Sequence, residues 1–315
     1  MKIFIEVPTW LGDAVMITPA LKNIVQMYPD AKITLFGSFV STQALSVHPN
    51  VVETVVDTSK EKGFRLFNLL KIAKKLGRFD MAFSFRKTFF SKLLNYRIKT
   101  PKHFVYKRLQ KKSMHQVRFY NLFVQKALDI STQAGALRLY HDKKSYAKPT
   151  LGINPGAAYG SAKRWDALRF AKVASTLSDR YNIVIFAGPA EIEMAKDIEV
   201  ALLEMGVQNY ENLAGKTTIP QLLSYIAGLD LFITNDSGPM HVAAAYQVPT
   251  VAIFGPTKHL ETSQWRNLQS EIVRVDLDCA PCMKRVCPLK TDECMDKVTT
   301  EMVINTVAKC LKIVL

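Results

Sequence analysis

Residues 231–257 read LFITNDSGPMHVAAAYQVPTVAIFGPT, and this stretch decides the fold class. LFIT (231–234) is an apolar, β-branched run of the buried-strand type, and TVAIF (250–254) is a second. Between them Asp236 or Ser237 can cap a helix whose first turn accepts Pro239, with His241 inside that helix. Strand, helix and strand in so short a span imply a right-handed crossover between parallel strands.

The same alternation extends in both directions. Upstream in the second half, strands are expected at 151–155 and 183–187, and helices near 166–178, 191–205 and 220–227. The first half repeats the scheme, with strands at 2–7, 33–37, 51–56 and 81–85. Helices are expected there at 13–27, 39–47, 64–76 and 114–128. The polar stretch HDKKSYAKPT (141–150) interrupts the pattern and reads as a linker. A chain of 315 residues suits two such blocks better than one. Its 48% apolar and 22% charged composition is that of a folded protein, which excludes a disordered one. No apolar run approaches the length that crosses a bilayer, and the N-terminus, which reaches Glu6 at once, is not expected to be a signal peptide.

Charge divides the halves. Residues 1–150 hold 26 basic and 9 acidic residues, net +17, while residues 151–315 hold 16 and 18, net −2. The excess concentrates in residues 60–126, where 19 Lys and Arg face only Glu61 and Asp80. A uniformly basic, histone-like chain is excluded, and the two halves should meet different partners.

In open α/β sheets ligands sit beyond the carboxyl ends of strands, so the loops there are the places to search. After the first strand, Gly12-Asp13 opens a helix, where Asp13 is either an N-cap or a carboxylate available as a general base. PGAAYGSAKRW (155–165) combines small residues with Lys163, a recipe for holding phosphate that fits neither the P-loop nor the G-x-G-x-x-G spacing. NDSGPMH (235–241) sets Gly238 at a helix start, where unpaired N–H groups suit a diphosphate. FGPT (254–257) is a third such loop, ending in Thr257. Glu191, after a strand, can accept from ribose hydroxyls or complement its own helix dipole. Cys279, Cys282, Cys287 and Cys294, spaced C-x2-C-x4-C-x6-C, match no strong zinc template. They are expected as free thiols in a structural loop, a metal cluster being the lesser alternative.

WLGDAVMITPAL (10–21), PGAAYGSAKRW (155–165) and NDSGPMHVAAAYQVPTVAIFGPT (235–257) resemble, in order and over essentially the whole chain, the motifs of glycosyltransferase family 9, the ADP-heptose:lipopolysaccharide heptosyltransferases. CAPCMKRVCPLKTDECM (279–295) is similar to the cysteine segment of that family's heptosyltransferase II subtype. The resemblance implies a GT-B fold, two Rossmann-like doubly wound domains facing across a cleft. Residues 1–148 would bind the acceptor and 149–315 the nucleotide-sugar donor, with the last helix able to pack back on the first domain. It implies an inverting transfer without cofactor or nucleotide-bridging metal, from ADP-heptose to a lipid A–Kdo–heptose acceptor. Asp13 is then the base, and Lys163 holds the diphosphate. Asp236, Ser237, Gly238 and Thr257 line the donor phosphates and sugar, and Glu191 meets the ribose. The chain departs from the heptosyltransferase I pattern at Ala158 and Tyr159, where hydroxyl residues would be expected.

On this reading the basic half becomes the acceptor side, with Arg86, Lys87, Lys107 and Arg108 as candidate contacts. The enzyme would be cytoplasmic, held peripherally at the anionic inner membrane. A nucleic-acid-binding protein is the rival of a different class, since residues 86–112 interleave basic and aromatic side chains. No recognition motif for nucleic acid accompanies them, and nucleic acid is not an expected partner. An epimerase would need a G-x-G-x-x-G turn, which neither half has.

Overall fold

The computed structural model describes residues 1–61, 63–108 and 113–312. The chain divides into two compact units, Met1–Tyr140 and His141–Leu315. In the first unit β1 (Lys2–Glu6) is followed by α1 (Leu11–Met16), α2 (Thr18–Met27), β2 (Lys32–Gly37), α3 (Phe39–Leu45) and β3 (Val51–Val56). Then come α4 (Arg65–Leu76), β4 (Met81–Ser84), α5 (Phe89–Arg97), β5 (Lys102–Val105) and α6 (Gln116–Leu128). The strands form one parallel sheet in the order β3-β2-β1-β4-β5. The chain winds outward from β1 in one direction and then in the other, so strand order reverses between β1 and β4. The central strands are apolar on both faces, as a sheet covered by helices on both sides requires.

The second unit repeats the plan with β6 (Thr150–Asn154), α7 (Ala167–Leu177), β7 (Asn182–Ile185), α8 (Ile192–Glu204), β8 (Tyr210–Asn212) and α9 (Ile219–Ala227). It continues with β9 (Leu231–Asn235), α10 (Gly238–Tyr246), β10 (Thr250–Ile253), α11 (His259–Thr262), β11 (Ser270–Val273), α12 (Glu293–Asp296) and α13 (Thr300–Leu311). Its parallel sheet runs β11-β10-β9-β6-β7-β8, and order reverses between β6 and β9. α13 buries Val303 and Val307 in the second core and packs on β10, β11 and α7 of its own unit. No helix among the described residues is long and apolar enough to cross a membrane.

Three local readings change. The helix expected at 13–27 starts at Leu11 and breaks at Ile17 into two, because Pro19 is tolerated only in a first turn. The basic stretch 86–112 contains α5 and the polar edge strand β5, while residues 109–112 lie outside the described residues. The polar segment 141–150 does not hang free. Lys144 N donates to Ser224 O at 2.9 Å, Tyr146 Oη donates to Tyr225 O at 3.2 Å, and the Lys144 ammonium lies 4.0 Å from the Tyr225 ring centre. The segment is thus docked on α9, and the compact division precedes it.

Candidate active site

Each sheet carries its polar side chains to the point where strand order reverses, where adjacent loops diverge and leave room for a ligand. In the first unit the turn after β1 delivers Asp13. Trp10, not Asp13, is the N-cap of α1, so the carboxylate is not consumed in capping and sits half-buried in the first turn. The helix dipole favours an acid there. Asp13 Oδ1 accepts a hydrogen bond from Tyr120 Oη at 3.0 Å. Tyr120 lies on the buried face of α6, with the Phe85 and Tyr106 rings centred 5.7 and 5.2 Å away. Burial above all, and then the charge of Asp13, push its phenol pKa well up, so it remains a proton donor to Asp13.

Beside it, Glu6 closes β1 and is 2% exposed. Ser84 Oγ donates to one carboxylate oxygen and Ser91 Oγ to the other, the latter at 2.8 Å. Arg86 lies 3.5 Å from Glu6 and 3.5 Å from Asp57. Burial raises the Glu6 pKa, opposed by the Ser84 hydroxyl and the Arg86 charge. Arg86, expected on the acceptor, is thus engaged in internal ion pairs that tie the ends of β1, β3 and β4. Lys87 and Lys107 are exposed, and the Arg108 guanidinium lies 4.2 Å from the Phe119 ring centre.

In the second unit the structure brings Lys163, Asp236 and Thr257 together. Lys163 Nζ is 2.5 Å from Asp236 Oδ2 and donates to Asp236 O at 3.2 Å. Thr257 Oγ1 donates to the same Oδ2 at 2.5 Å. Ser237 is the N-cap of α10, and Gly238 and Pro239 open that helix. Its first N–H groups have no side-chain cap, as an anion-binding helix start requires. His241 is buried within α10.

Two asparagines ending adjacent strands hold these loops. Asn154 Nδ2 reaches Thr234 Oγ1 at 3.2 Å and Ser237 Oγ at 3.1 Å. Asn235 Nδ2 donates to Pro155 O at 2.6 Å, and its Oδ1 accepts from Trp165 N at 3.2 Å. Sequence reasoning passed over both, although an amide ending each of two apolar strands, LGIN and LFITN, is a legible signal.

Glu191 stands apart from the Lys163 group. Its carboxylate accepts from Gly188 N at 3.2 Å and pairs with Arg164 at 3.4 Å. It also lies so close to Gly156 that a Cβ there would come within 2.0 Å of Oε2. Glu191 thereby joins its own 3-10 turn to the 155–165 loop.

The cysteine segment runs over these loops. Tyr159 Oη donates to Met283 O at 2.8 Å, Ala162 N to Arg285 O at 3.1 Å, and Met283 N to Pro256 O at 2.8 Å. Gly160 meets the Arg285 carbonyl so closely that a Cβ would lie 2.1 Å from its oxygen. Tyr159 has its ring centre 4.8 Å from Lys163 Nζ and 5.3 Å from the Arg285 guanidinium. All five cysteines are free thiols, and no group of three or more His, Cys, Asp and Glu among the described residues is arranged to hold a metal ion. Cys294 is buried, and burial followed by the neighbouring thiols pushes its pKa up to about 11. Cys287 is lowered, chiefly by the backbone N–H of Asp292.

Two units, each built on a doubly wound parallel sheet, have the architecture of the GT-B fold class. Residues 69–292 match the model of glycosyltransferase family 9 (heptosyltransferase), and the chain belongs to that family. It is similar to the lipooligosaccharide heptosyltransferase 2 of Campylobacter jejuni subsp. jejuni serotype O:2, 44% identical over 99% of this chain and 99% of that one. The structure of the E. coli ADP-heptose lps heptosyltransferase II superposes with a TM-score of 0.76, at 26% identity over 95% of this chain and 98% of that chain. A family 9 glycosyl transferase from Veillonella parvula shares the fold with a TM-score of 0.82, at 23% identity over 99% and 97%.

Proposed function

We propose that this glycosyltransferase moves heptose from ADP-heptose to the heptose of a lipid A–Kdo–heptose acceptor, as a heptosyltransferase II. Near-full-length 44% identity to a lipooligosaccharide heptosyltransferase 2 carries the reading. The site chemistry supports it. Asp13 takes the proton from the acceptor hydroxyl as its oxygen bonds to the anomeric carbon. Tyr120 holds that carboxylate in place. The bond from the anomeric carbon to the diphosphate oxygen breaks in the same displacement, so configuration inverts through an oxocarbenium-like transition state.

Charge on the departing ADP falls to Lys163 and the positive end of the α10 dipole, where Gly238 opens the helix. Asp236 and Thr257 fix the ammonium in that position, while Ser237 and Gly238 let the diphosphate approach the helix end. Glu191 is assigned to the ribose, an assignment supported by its place after β7 and beside Gly156. The acceptor is assigned to the unit Met1–Tyr140 and the donor to the unit His141–Leu315. The first meets an anionic, lipid-linked substrate with its excess charge, with Lys87 and Lys107 as exposed contacts. The enzyme works at the cytoplasmic face of the inner membrane by peripheral contact. Incubation with ADP-heptose and heptosylated Kdo–lipid A should add one heptose mass and release one ADP. Transfer to Kdo–lipid A lacking the first heptose, or no transfer, would overturn the assignment.

A further inference from the structure

α4 and α5 pack side by side on the first sheet and bury Leu69, Ala73, Leu94 and Ile98 in one cluster with Phe4 and Phe36. Their outward faces are of another character. On α4 the exposed residues are Leu66, Phe67, Lys71, Lys74 and Lys75; on α5 they are Phe89, Lys92, Tyr96 and Arg97. Phe64, Phe67, Phe89 and Tyr96 are 76%, 63%, 72% and 76% exposed, and neither helix carries an acidic residue. The spacing is that of single helical faces.

The patch is continuous. The Arg65 guanidinium lies 3.8 Å from the Phe90 ring centre and so bridges the starts of the two helices. The Phe64 and Phe67 rings are 6.2 Å apart, and Phe89 and Phe90 are 5.7 Å apart. Every exposed large aromatic among the described residues belongs to the first unit. In the second unit the exposed large apolar side chains are aliphatic. An exposed phenylalanine by itself means little, but aromatic rings set among lysines, with no acid on either helix, is the composition of a surface that lies in a headgroup layer. Because α4 and α5 begin after β3 and β4, their aromatic ends lie at the carboxyl edge of the sheet, the edge that also carries Asp13.

We propose that the outward faces of α4 and α5 are a docking surface for an anionic lipid bilayer, with Phe64, Phe67 and Phe89 entering the interface and Lys71, Lys74, Lys75 and Lys92 meeting lipid phosphates. This deepens the reading of a lipid-linked acceptor and rests on it for its biological sense. The lysine stems run along the ring surfaces while their ammonium groups stay with the phosphates. Cationic residues near such a surface add attraction that salt weakens, whereas the buried rings do not respond to salt.

The test uses the full-length protein in a sedimentation assay. The vesicles are of phosphatidylglycerol with phosphatidylethanolamine, or of phosphatidylcholine alone. The wild type should partition to the anionic vesicles, and Phe64→Ser/Phe67→Ser/Phe89→Ser should lower that partition by about tenfold or more. Lys71→Gln/Lys74→Gln/Lys75→Gln/Lys92→Gln should lower it and remove most of its salt dependence. ADP release with a deacylated, water-soluble acceptor should be unchanged in the phenylalanine variant, which also shows that it folds. Wild-type partition that the phenylalanine substitutions leave intact, or no partition of the wild type, overturns the proposal. So does an affinity for RNA that depends on the same rings and exceeds that for vesicles. Failure of transfer to any heptosylated acceptor would overturn the proposed reaction and leave the vesicle result to stand by itself.

Discussion

The two switch points solve the burial of charge in opposite ways. In the first unit the carboxylate proposed as the base is separate from the structural one: Asp13 accepts from Tyr120, while Glu6 meets Ser84, Ser91 and Arg86. In the second unit one cluster serves both purposes, because the Lys163 ammonium proposed to meet a phosphate is the same group that pairs with Asp236, which Thr257 also holds. Asp13→Asn, which keeps an oxygen for the Tyr120 hydroxyl, should therefore act chiefly on chemistry. A substitution at Lys163 should act on binding and on stability together.

Asp13→Asn is the strongest way to break the comparison. Turnover should fall by about 10²- to 10⁴-fold, the range of a general base, with ADP binding and unfolding unchanged. A calorimetric ADP titration beside initial rates would check both halves, and a destabilised protein would show that the separation is false. Lys163→Ala should come next. It leaves Asp236, whose side chain is 5% exposed, without its cation, at a cost of about 3–5 kcal/mol in urea unfolding, and it raises the KM for donor. Adding Asp236→Asn should recover much of the stability but not the donor affinity. Recovery of both would mean that Lys163 has no role in binding.

Tyr120→Phe sharpens the picture of the first unit. Loss of one hydrogen bond to a carboxylate should lower kcat by about tenfold. A carboxylate deprived of a donor holds its proton to higher pH, so the acid limb of the rate profile should move upward. A lower rate with an unmoved limb would reduce Tyr120 to packing. The smallest effect concerns the segment over the second site. Near pH 7.5 Cys287, with its lowered pKa and partial exposure, should alkylate with iodoacetamide before buried Cys294, whose pKa lies near 11. Raising the pH should bring Cys287 to full rate first, with Cys294 lagging, as peptide mass mapping would reveal.

Much of this was legible in the chain because the buried parallel strands are short apolar runs. LFIT and TVAIF correspond to β9 and β10, and the run at 81–85 to β4. The strands that went unread are edges of their sheets: Lys102–Val105 looks like part of a basic run, Tyr210–Asn212 is too short to carry a period, and Ser270–Val273 opens on two polar residues. α5 was hidden by the same basic stretch, since its buried face holds Ser91 and Asn95 as well as Leu94. At the site, the loops could be found from small residues and helix starts, but pairings could not. Nothing local in Asp236 names Lys163 as its partner, 73 positions away. Nor does α6 announce that Tyr120 will meet a carboxylate 107 residues earlier. A buried tyrosine signals only that its hydroxyl needs some partner.

The strap formed by the cysteine segment has a consequence for how this protein can change over time. Met283 touches the loops beneath through its amide and carbonyl, and its side chain points to solvent at 44% exposure. Many residues could occupy that position, and glycine would relieve its positive φ of 59°. Gly160 below it has no such freedom, since any Cβ would strike a backbone oxygen that no rotamer change can move. A saturation library across both positions should read as a tolerant row above an intolerant one. Ancestry in this region is recorded by the floor of the contact rather than by its roof.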